Sequence, residues 1–188
     1  MKKCVIAMAL GTLLIAGGVQ AEDDTSTTTA AVDQGHGTIK FKGSIIDAPC
    51  SISPESADQT VELGQIASVA LQNGGKSSPE DFGIQLESCD VTALTEKKAT
   101  ATFTGTEGAI DGSLAIAGTA SGASIILNNG QGGTGQVKLG EETTKQTIAT
   151  GSNTLWFSAF LQGNNADTTD PVTPGEFTSV VQFNMAYY

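Results

Sequence analysis

The segment that most constrains the fold is the last one, EFTSVVQFNMAYY, which follows Gly175. Five of its apolar side chains share one parity: Phe177, Val181, Phe183, Met185 and Tyr187. Alternate residues of an extended strand lie on one face, so residues 177–188 are predicted to form a half-buried strand. A strand that ends the sequence exposes one edge of unpaired backbone groups unless another segment covers it. We therefore expect a partner strand from elsewhere.

A second alternating segment, GHGTIKFKGSII, occupies residues 35–46. Its apolar parity holds Ile39, Phe41, Gly43 and Ile45. Lys40 and Lys42 fall on the other parity, so this segment is predicted to be a strand with one apolar and one charged face. Residues 22–34 contain too few apolar side chains to fold by themselves. The pattern predicts an arm that ends in a strand; the alternative is that residues 38–46 are the first strand of the domain itself.

Residues 1–21 have the features of a secretory signal peptide. Lys2 and Lys3 precede an apolar core at residues 5–19, and small residues end at Ala21. Residues 22–188 then suit one domain plus an arm. We divide them into an arm at 22–46, whose end merges into the first strand, and a domain at 47–188.

Two cysteines, Cys50 and Cys89, remain after Cys4 leaves with the signal peptide. An even pair in an exported protein predicts a disulfide. It would close a loop of about forty residues, worth on the order of 4 kcal/mol in the chain-entropy model. The alternative is two buried free thiols. A zinc site lacks its other ligands, since His36 is the one histidine.

The rest of the chain is predicted to be an all-β sandwich, because short strand candidates recur between turn signals and the sequence contains 23 glycines. The candidates are 60–63, 82–86, 99–103, 123–127, 136–139, 154–161 and 177–188. The segment LWFSAFLQ at 155–162 predicts a central strand packed on both faces. NNGQGGTG at 128–135 lacks the Lys-Ser/Thr of a phosphate loop and predicts a hairpin turn.

Charge and chemistry exclude several functions. Without Lys2 and Lys3, seven lysines oppose twenty acidic residues, which gives a net charge of −13. Phosphate backbones and anionic membranes repel such a chain, so we expect no nucleic-acid partner. No nucleophile has a base predicted to be positioned beside it, so we expect no enzyme activity, no cofactor and no metal site.

Five features in chain order resemble the chaperone/usher pilins, and most of all the major rod subunits of P-type and type 1 fimbriae. They are TIKFKGSIIDAPCSI, the pair Cys50 and Cys89, SPEDFGIQLESC, Gly175 as the fourteenth residue from the end, and the penultimate Tyr187. The resemblance covers essentially the whole mature chain. It implies export through the periplasm to the cell surface, where the protein would be a structural subunit of a fimbria. The alternatives are a minor tip or adaptor pilin and, from another class, a monomeric secreted binding module.

The resemblance also implies a fold, partners and sites. The fold is an incomplete immunoglobulin-like sandwich lacking its final strand, with an N-terminal donor-strand arm. A periplasmic chaperone and then the arm of the next subunit would each add a strand to it, and an outer-membrane usher would complete the pathway. The implied donor strand comprises Ile39, Phe41, Gly43 and Ile45. The implied acceptor groove and chaperone-recognition strand comprise Gly175, Phe177, Val181, Phe183, Met185 and Tyr187.

Overall fold

The computed structural model of this protein describes residues 35–133, 135–164 and 171–188. The predicted signal peptide, residues 1–21, and the first part of the arm, residues 22–34, lie outside the described residues. The chain divides into two units, 1–43 and 44–188. The second unit contains all the strands of the described residues.

The described residues are mostly strand. The strands are β1 Ser51–Ile52, β2 Glu80–Cys89, β3 Lys98–Gly105, β4 Leu114–Ala115, β5 Ala117–Gly118, β6 Ala123–Asn129, β7 Gly135–Val137, β8 Gln146–Thr147, β9 Gly151–Gly163, β10 Phe177–Thr178 and β11 Val181–Tyr187. The helical segments are α1 Pro54–Ala57 and a 3₁₀ segment at Ser68–Gly74. Ser53 caps α1, because its hydroxyl accepts a hydrogen bond from the Ser56 amide.

The strands form two principal antiparallel sheets and a small third one. The first has the order β1-β2-β9-β6-β4, with β7 also on β6. The second has the order β11-β3-β8, and β10 pairs with β5. The two principal sheets pack face to face through aromatic rings: Phe103 of the second contacts Phe157 of the first edge-on, with 5.1 Å between ring centroids. The prediction of an all-β sandwich is confirmed.

The predicted disulfide is also confirmed. Cys50 and Cys89 are bonded and buried, with 4.1 Å between their Cα atoms. Cys50 immediately precedes β1, and Cys89 ends β2. The bridge therefore fixes the start of the domain to the core sheet.

The predictions of a central strand and of a hairpin at 128–135 are confirmed, except for the position of one side chain. β9 lies between β2 and β6, as expected of a central strand, and Phe157, Phe160 and Leu161 are buried. Trp156 was expected in the core, but it is 41% exposed on the outer face. There it lies over Gly83, where a Cβ would come within 3.4 Å of the indole. The segment 128–135 is confirmed as the β6–β7 hairpin.

Two strand predictions are wrong in extent. Residues 60–63 are not a strand, although Val61 and Leu63 are half-buried and Thr60 and Glu62 exposed, as the alternation requires. The apolar side chains of this segment point toward the core, but within the described residues no strand forms backbone hydrogen bonds with it. Residues 177–188 are two strands, since β10 pairs with β5 and β11 with β3. Between them the Ser179 hydroxyl donates to the Ala115 carbonyl at 2.7 Å, and Val180 is 79% exposed.

Candidate functional site

The last strand, β11, lies at the edge of its sheet. It pairs with β3 along its whole length, from Val181 opposite Gly105 to Tyr187 opposite Ala99. Among the described residues, β3 is its one strand neighbour. Val181, Phe183, Met185 and Tyr187 are half-buried against the core, whereas Gln182 and Asn184 are exposed. The second edge of β11 therefore carries backbone groups able to pair with a further strand.

Beside this edge lies an open groove of about 750 Å³. One wall is β11 with Ser179 and Val180, and the other is the segment 56–63. The floor is apolar and comes from both sheets: Phe82, Ile84, Phe103, Leu114, Ile125, Leu127 and Ala159. A second cleft of about 670 Å³ shares Val61, Leu63 and Ile125 with the first and extends to residues 172–179. The second cleft thus continues the groove toward β10.

Gly175 and Phe177 lie at the end of the groove that the second cleft forms. At Gly175 a Cβ would lie 2.5 Å from both the Thr119 carbonyl carbon and the Ala120 amide nitrogen, so the backbones approach too closely for a side chain. The Thr119 and Ala120 amides both donate to the Glu176 carbonyl, at 2.9 and 3.1 Å. The glycine therefore lets the chain pack against residues 119–120 before it enters β10.

The opposite end of β11 is held by a polar network that the sequence analysis did not foresee. We call Glu96, Lys98, Glu142, Lys145 and Tyr188 the C-terminal clasp. The Tyr188 hydroxyl donates to Glu142 at 2.6 Å, and the Lys145 ammonium lies 3.9 Å from the centroid of the Tyr188 ring. Lys145 also donates to both Glu96 oxygens at 3.0 Å, and Lys98 lies 3.8 Å from Glu96.

The clasp shifts the ionisation of its members. The hydrogen bond to Glu142 raises the pKa of the Tyr188 phenol, and the hydrogen bond from Lys145 lowers the pKa of the Glu96 carboxyl. Burial raises the pKa of the neighbouring Tyr187. These residues come from three separate stretches, 96–98, 142–145 and 187–188, which are brought together because β3 pairs with both β8 and β11. A charge pattern read along the chain contains no signal for them.

The described part of the arm has the opposite character from β11. Residues 35–47 carry no strand assignment. The side chain of Ile39 is 80% exposed and that of Phe41 is 90% exposed, and Ile45 is fully exposed. At Gly43 a Cβ would meet nothing within 4 Å. The apolar side chains of the predicted donor strand are therefore accessible.

The described residues contain neither a metal-binding cluster nor a membrane-spanning helix. No group of three or more His, Cys, Asp or Glu side chains there is arranged to hold a metal ion. None of the helices there is long and apolar enough to cross a membrane.

The fold and the groove define an immunoglobulin-like sandwich with one open edge. A family model described as "Fimbrial protein" matches residues 39–188. The Fimbria A protein of Serratia marcescens is 54% identical over 86% of this chain and 90% of its own. The Major MR/P fimbria protein of Proteus mirabilis is 41% identical over 100% of this chain and 98% of its own. The crystal structure of the P pilus rod subunit PapA superposes with a TM-score of 0.65 and 32% identity, over 75% of this chain and 100% of that one.

The chain therefore belongs to the fimbrial protein family, and its resemblance to fimbrial rod subunits is confirmed. It is a structural subunit of a bacterial surface fimbria, as the relatives are. The fold is that of an immunoglobulin-like sandwich whose sheets do not close. Its relatives form polymeric pili, which supports other pilin subunits as partners.

Proposed function

We propose that this subunit polymerises by donor-strand exchange, in which residues 38–46 of one copy fill the groove beside β11 of the next. The observation that carries the proposal is the complementarity between two features of one sequence. The groove has an apolar floor and an unpaired strand edge. The arm has an exposed apolar row and no strand neighbour among the described residues.

The side chains of the arm suit the groove. Ile39, Phe41 and Ile45 would meet the row formed by Val181, Phe183 and Met185. Burying three large apolar side chains contributes about 1.5–3 kcal/mol each before ordering costs, and the main-chain hydrogen bonds along β11 add to this. Gly43 interrupts the apolar row and allows the two backbones to approach closely at that point. Gly175, Phe177 and Tyr187 complete the acceptor side.

Until a neighbour arrives, the groove exposes apolar surface and an unpaired edge, a combination that promotes aggregation. A strand from a periplasmic chaperone would cover both while the subunit folds, with β11 as the strand it recognises. An outer-membrane usher would then exchange that strand for the arm of the next subunit. In this scheme the protein catalyses no reaction, because its function is to bind its neighbours.

The test is a self-complemented chain, in which a copy of residues 37–46 follows Tyr188 through a flexible linker of about four residues. If the copy fills the groove, its net contribution of a few kcal/mol should raise Tm on the order of 10 °C above that of the unmodified mature chain. The measurement is thermal unfolding followed by circular dichroism.

The matched control replaces the copy's Phe41 by lysine. A lysine facing the groove floor would bury an unpaired charge, so most of the rise in Tm should be lost. Equal melting of the two copies, or no rise with the unaltered copy, would contradict the proposal.

A further inference from the structure

The wall formed by residues 56–63 separates the groove from a third cleft, which is acidic and has a volume of about 590 Å³. We call it the acidic cleft. Its carboxylates come from α1, from the 56–63 wall and from the start of β2: Glu55, Glu62, Glu80 and Asp81. We call these four residues the acidic lip. Trp156 and Gly83 also line this cleft, and none of its lining residues is basic. Glu62 borders both this cleft and the cleft of about 670 Å³ that continues the groove, so it stands at the rim where an inserted strand would pass.

The domain's own lysines do not neutralise the acidic lip. Four of them are engaged elsewhere: Lys76 over the Phe160 ring, Lys98 and Lys145 at Glu96, and Lys138 at Asp111. Within the lip, Asp81 accepts a hydrogen bond from the Gly132 amide at 2.6 Å. Among the described residues, no salt bridge reaches Glu55, Glu62 or Glu80. The lip is thus a concentration of negative charge to which no lysine of the described domain forms a salt bridge.

The arm carries two lysines that could neutralise the acidic lip, and they alternate with its apolar side chains. Lys40 and Lys42 have the opposite parity from Ile39 and Phe41, so a strand that turns the apolar row into the groove turns both lysines outward. Their neighbours across the strand would be the outward side chains of the 56–63 wall, which include Thr60 and Glu62. The outward side chains of β11, Gln182 and Asn184, carry no charge. Only the wall side of the groove therefore offers charges opposite to those of the lysines.

We propose that the acidic lip, with Glu62 as its central residue, recognises Lys40 and Lys42 of the incoming arm. This inference rests on the proposed donor-strand exchange and identifies its partner as a segment of a second copy of this chain. The apolar side chains of the arm contribute most of the binding free energy by being buried. The opposite charges of the lysines and the acidic lip set the register of the inserted strand. They also favour this arm over an arm with acidic residues at the same positions. A one-residue slip would turn the lysines toward the apolar floor, which is costly.

A charge-reversal cycle in the self-complemented chain tests the proposal. Lys40→Glu together with Lys42→Glu in the appended copy should lower Tm by about 2–4 °C, and Glu62→Lys alone should also lower Tm. Combining all three should restore much of the loss, since opposite charges again face each other. Both losses should shrink in high salt, because ions screen exposed charges. The matched control is Glu87→Lys, since Glu87 is exposed on β2 but lines neither the groove nor the acidic cleft.

A second measurement, the quenching of Trp156 fluorescence, reports the electrostatic charge at the acidic lip. Trp156 is the chain's one tryptophan and lines the acidic cleft, so its quenching by iodide senses the local charge. The unaltered copy should increase iodide quenching relative to that by neutral acrylamide, and the copy with two glutamates should decrease it.

The outcomes separate this inference from the one it rests on. If the losses at the copy and at Glu62 simply add, or if Glu87→Lys restores stability as well as Glu62→Lys does, charge recognition is wrong while donor-strand exchange stands. If the unaltered copy gives no rise in Tm, both are overturned.

Discussion

The arm and the last strand share one sequence pattern and differ in structure. Each alternates apolar and polar residues over several positions, and each was predicted to be a strand. In β11 the apolar side chains are half-buried and every residue pairs with β3. In the arm, Phe41 is 90% exposed and no strand is assigned. The difference teaches that alternation specifies which face of a segment is apolar, whereas strand formation needs a neighbouring edge.

The two regions are also attached differently. β11 is held by β3 along its length, and the C-terminal clasp holds its end at Tyr188. The described arm continues into the domain at Pro49 and Cys50, where the disulfide and a hydrogen bond from the Asp90 amide to the Pro49 carbonyl fix the chain. The root of the arm is thus tied to the domain by a disulfide and a hydrogen bond, whereas Ile39, Phe41 and Ile45 beyond that root are exposed.

The largest expected effect is that mutations in the two regions block assembly at different stages, either at the chaperone complex or at the filament. Phe183→Lys places a charge in the groove that chaperone and neighbour would both fill, so the soluble chaperone complex and the filament should both be lost. Phe41→Lys changes only the arm, so the chaperone complex should persist while filaments disappear. Copurification of the subunit with the proposed periplasmic chaperone and electron microscopy of the cell surface measure the two stages.

The control is the pair Gln182→Lys and Ser44→Lys, which places a lysine on the outward face of each of the same two segments and should leave both stages largely intact. If Phe41→Lys abolishes the chaperone complex as completely as Phe183→Lys does, residues 38–46 belong to the folded domain. The arm would then be packed in its own domain, as β11 is, and would not be a donor strand for a neighbour.

The next effect concerns the root of the arm. Cys50→Ser should destabilise the domain by about 2–5 kcal/mol, which urea unfolding of the self-complemented chain would show. Cys50→Ser and Cys89→Ser combined should cost little more than either change alone, because they remove the same bond. Mature protein taken from the cell surface should have no titratable thiol when denatured without reductant; two free thiols there would contradict the bridge.

A smaller effect compares two glycines, one from each region. Gly175→Ala forces a Cβ against the backbone of residues 119–120 and should destabilise the domain by about 1–3 kcal/mol. Gly43→Ala in the arm should leave the melting of the self-complemented chain unchanged, since nothing lies within 4 Å. The same alanine in the appended copy should lower Tm if Gly43 allows close approach in the groove. Equal effects of Gly43→Ala in the arm and Gly175→Ala would show that the arm is packed.

The smallest effect is a pH dependence confined to the end of β11. The chain's two tyrosines, Tyr187 and Tyr188, both have raised pKa values, so their neutral forms are favoured in the folded protein. Their contribution to stability is complete below the ordinary tyrosine pKa of about 10 and is lost as pH rises through the raised values. Tyrosinate absorbance should therefore appear at higher pH in the folded chain than in the denatured chain.

The variants Tyr188→Phe and Glu142→Gln separate the two tyrosines. With Tyr188→Phe, the remaining tyrosine should keep the shift that burial causes. With Glu142→Gln, Tyr188 should ionise at lower pH while Tyr187 is unaffected. Identical titration of folded and denatured wild-type chains would contradict the clasp.

Much of the fold could be predicted from the sequence because its signals are local. Parity identified the face of β11 that packs against the core, and the glycine-rich run at 128–135 predicted the β6–β7 hairpin. The even cysteine pair predicted the bridge from Cys50 to Cys89. The outward position of Trp156 could not be predicted in this way, because it depends on Gly83, which lies opposite it only through the register of β2 and β9.

The sequence by itself thus determined which side chains could face a core, and that two of its segments, one near each end, carry apolar side chains on one parity. Only the tertiary structure decided which edges are paired. It placed 60–63 beside a groove instead of within a sheet, divided 177–188 between two partners, and assembled the clasp from residues far apart in the chain. The physical reason is that side-chain burial follows a pattern carried by one segment, whereas backbone hydrogen bonding depends on the position of a second segment.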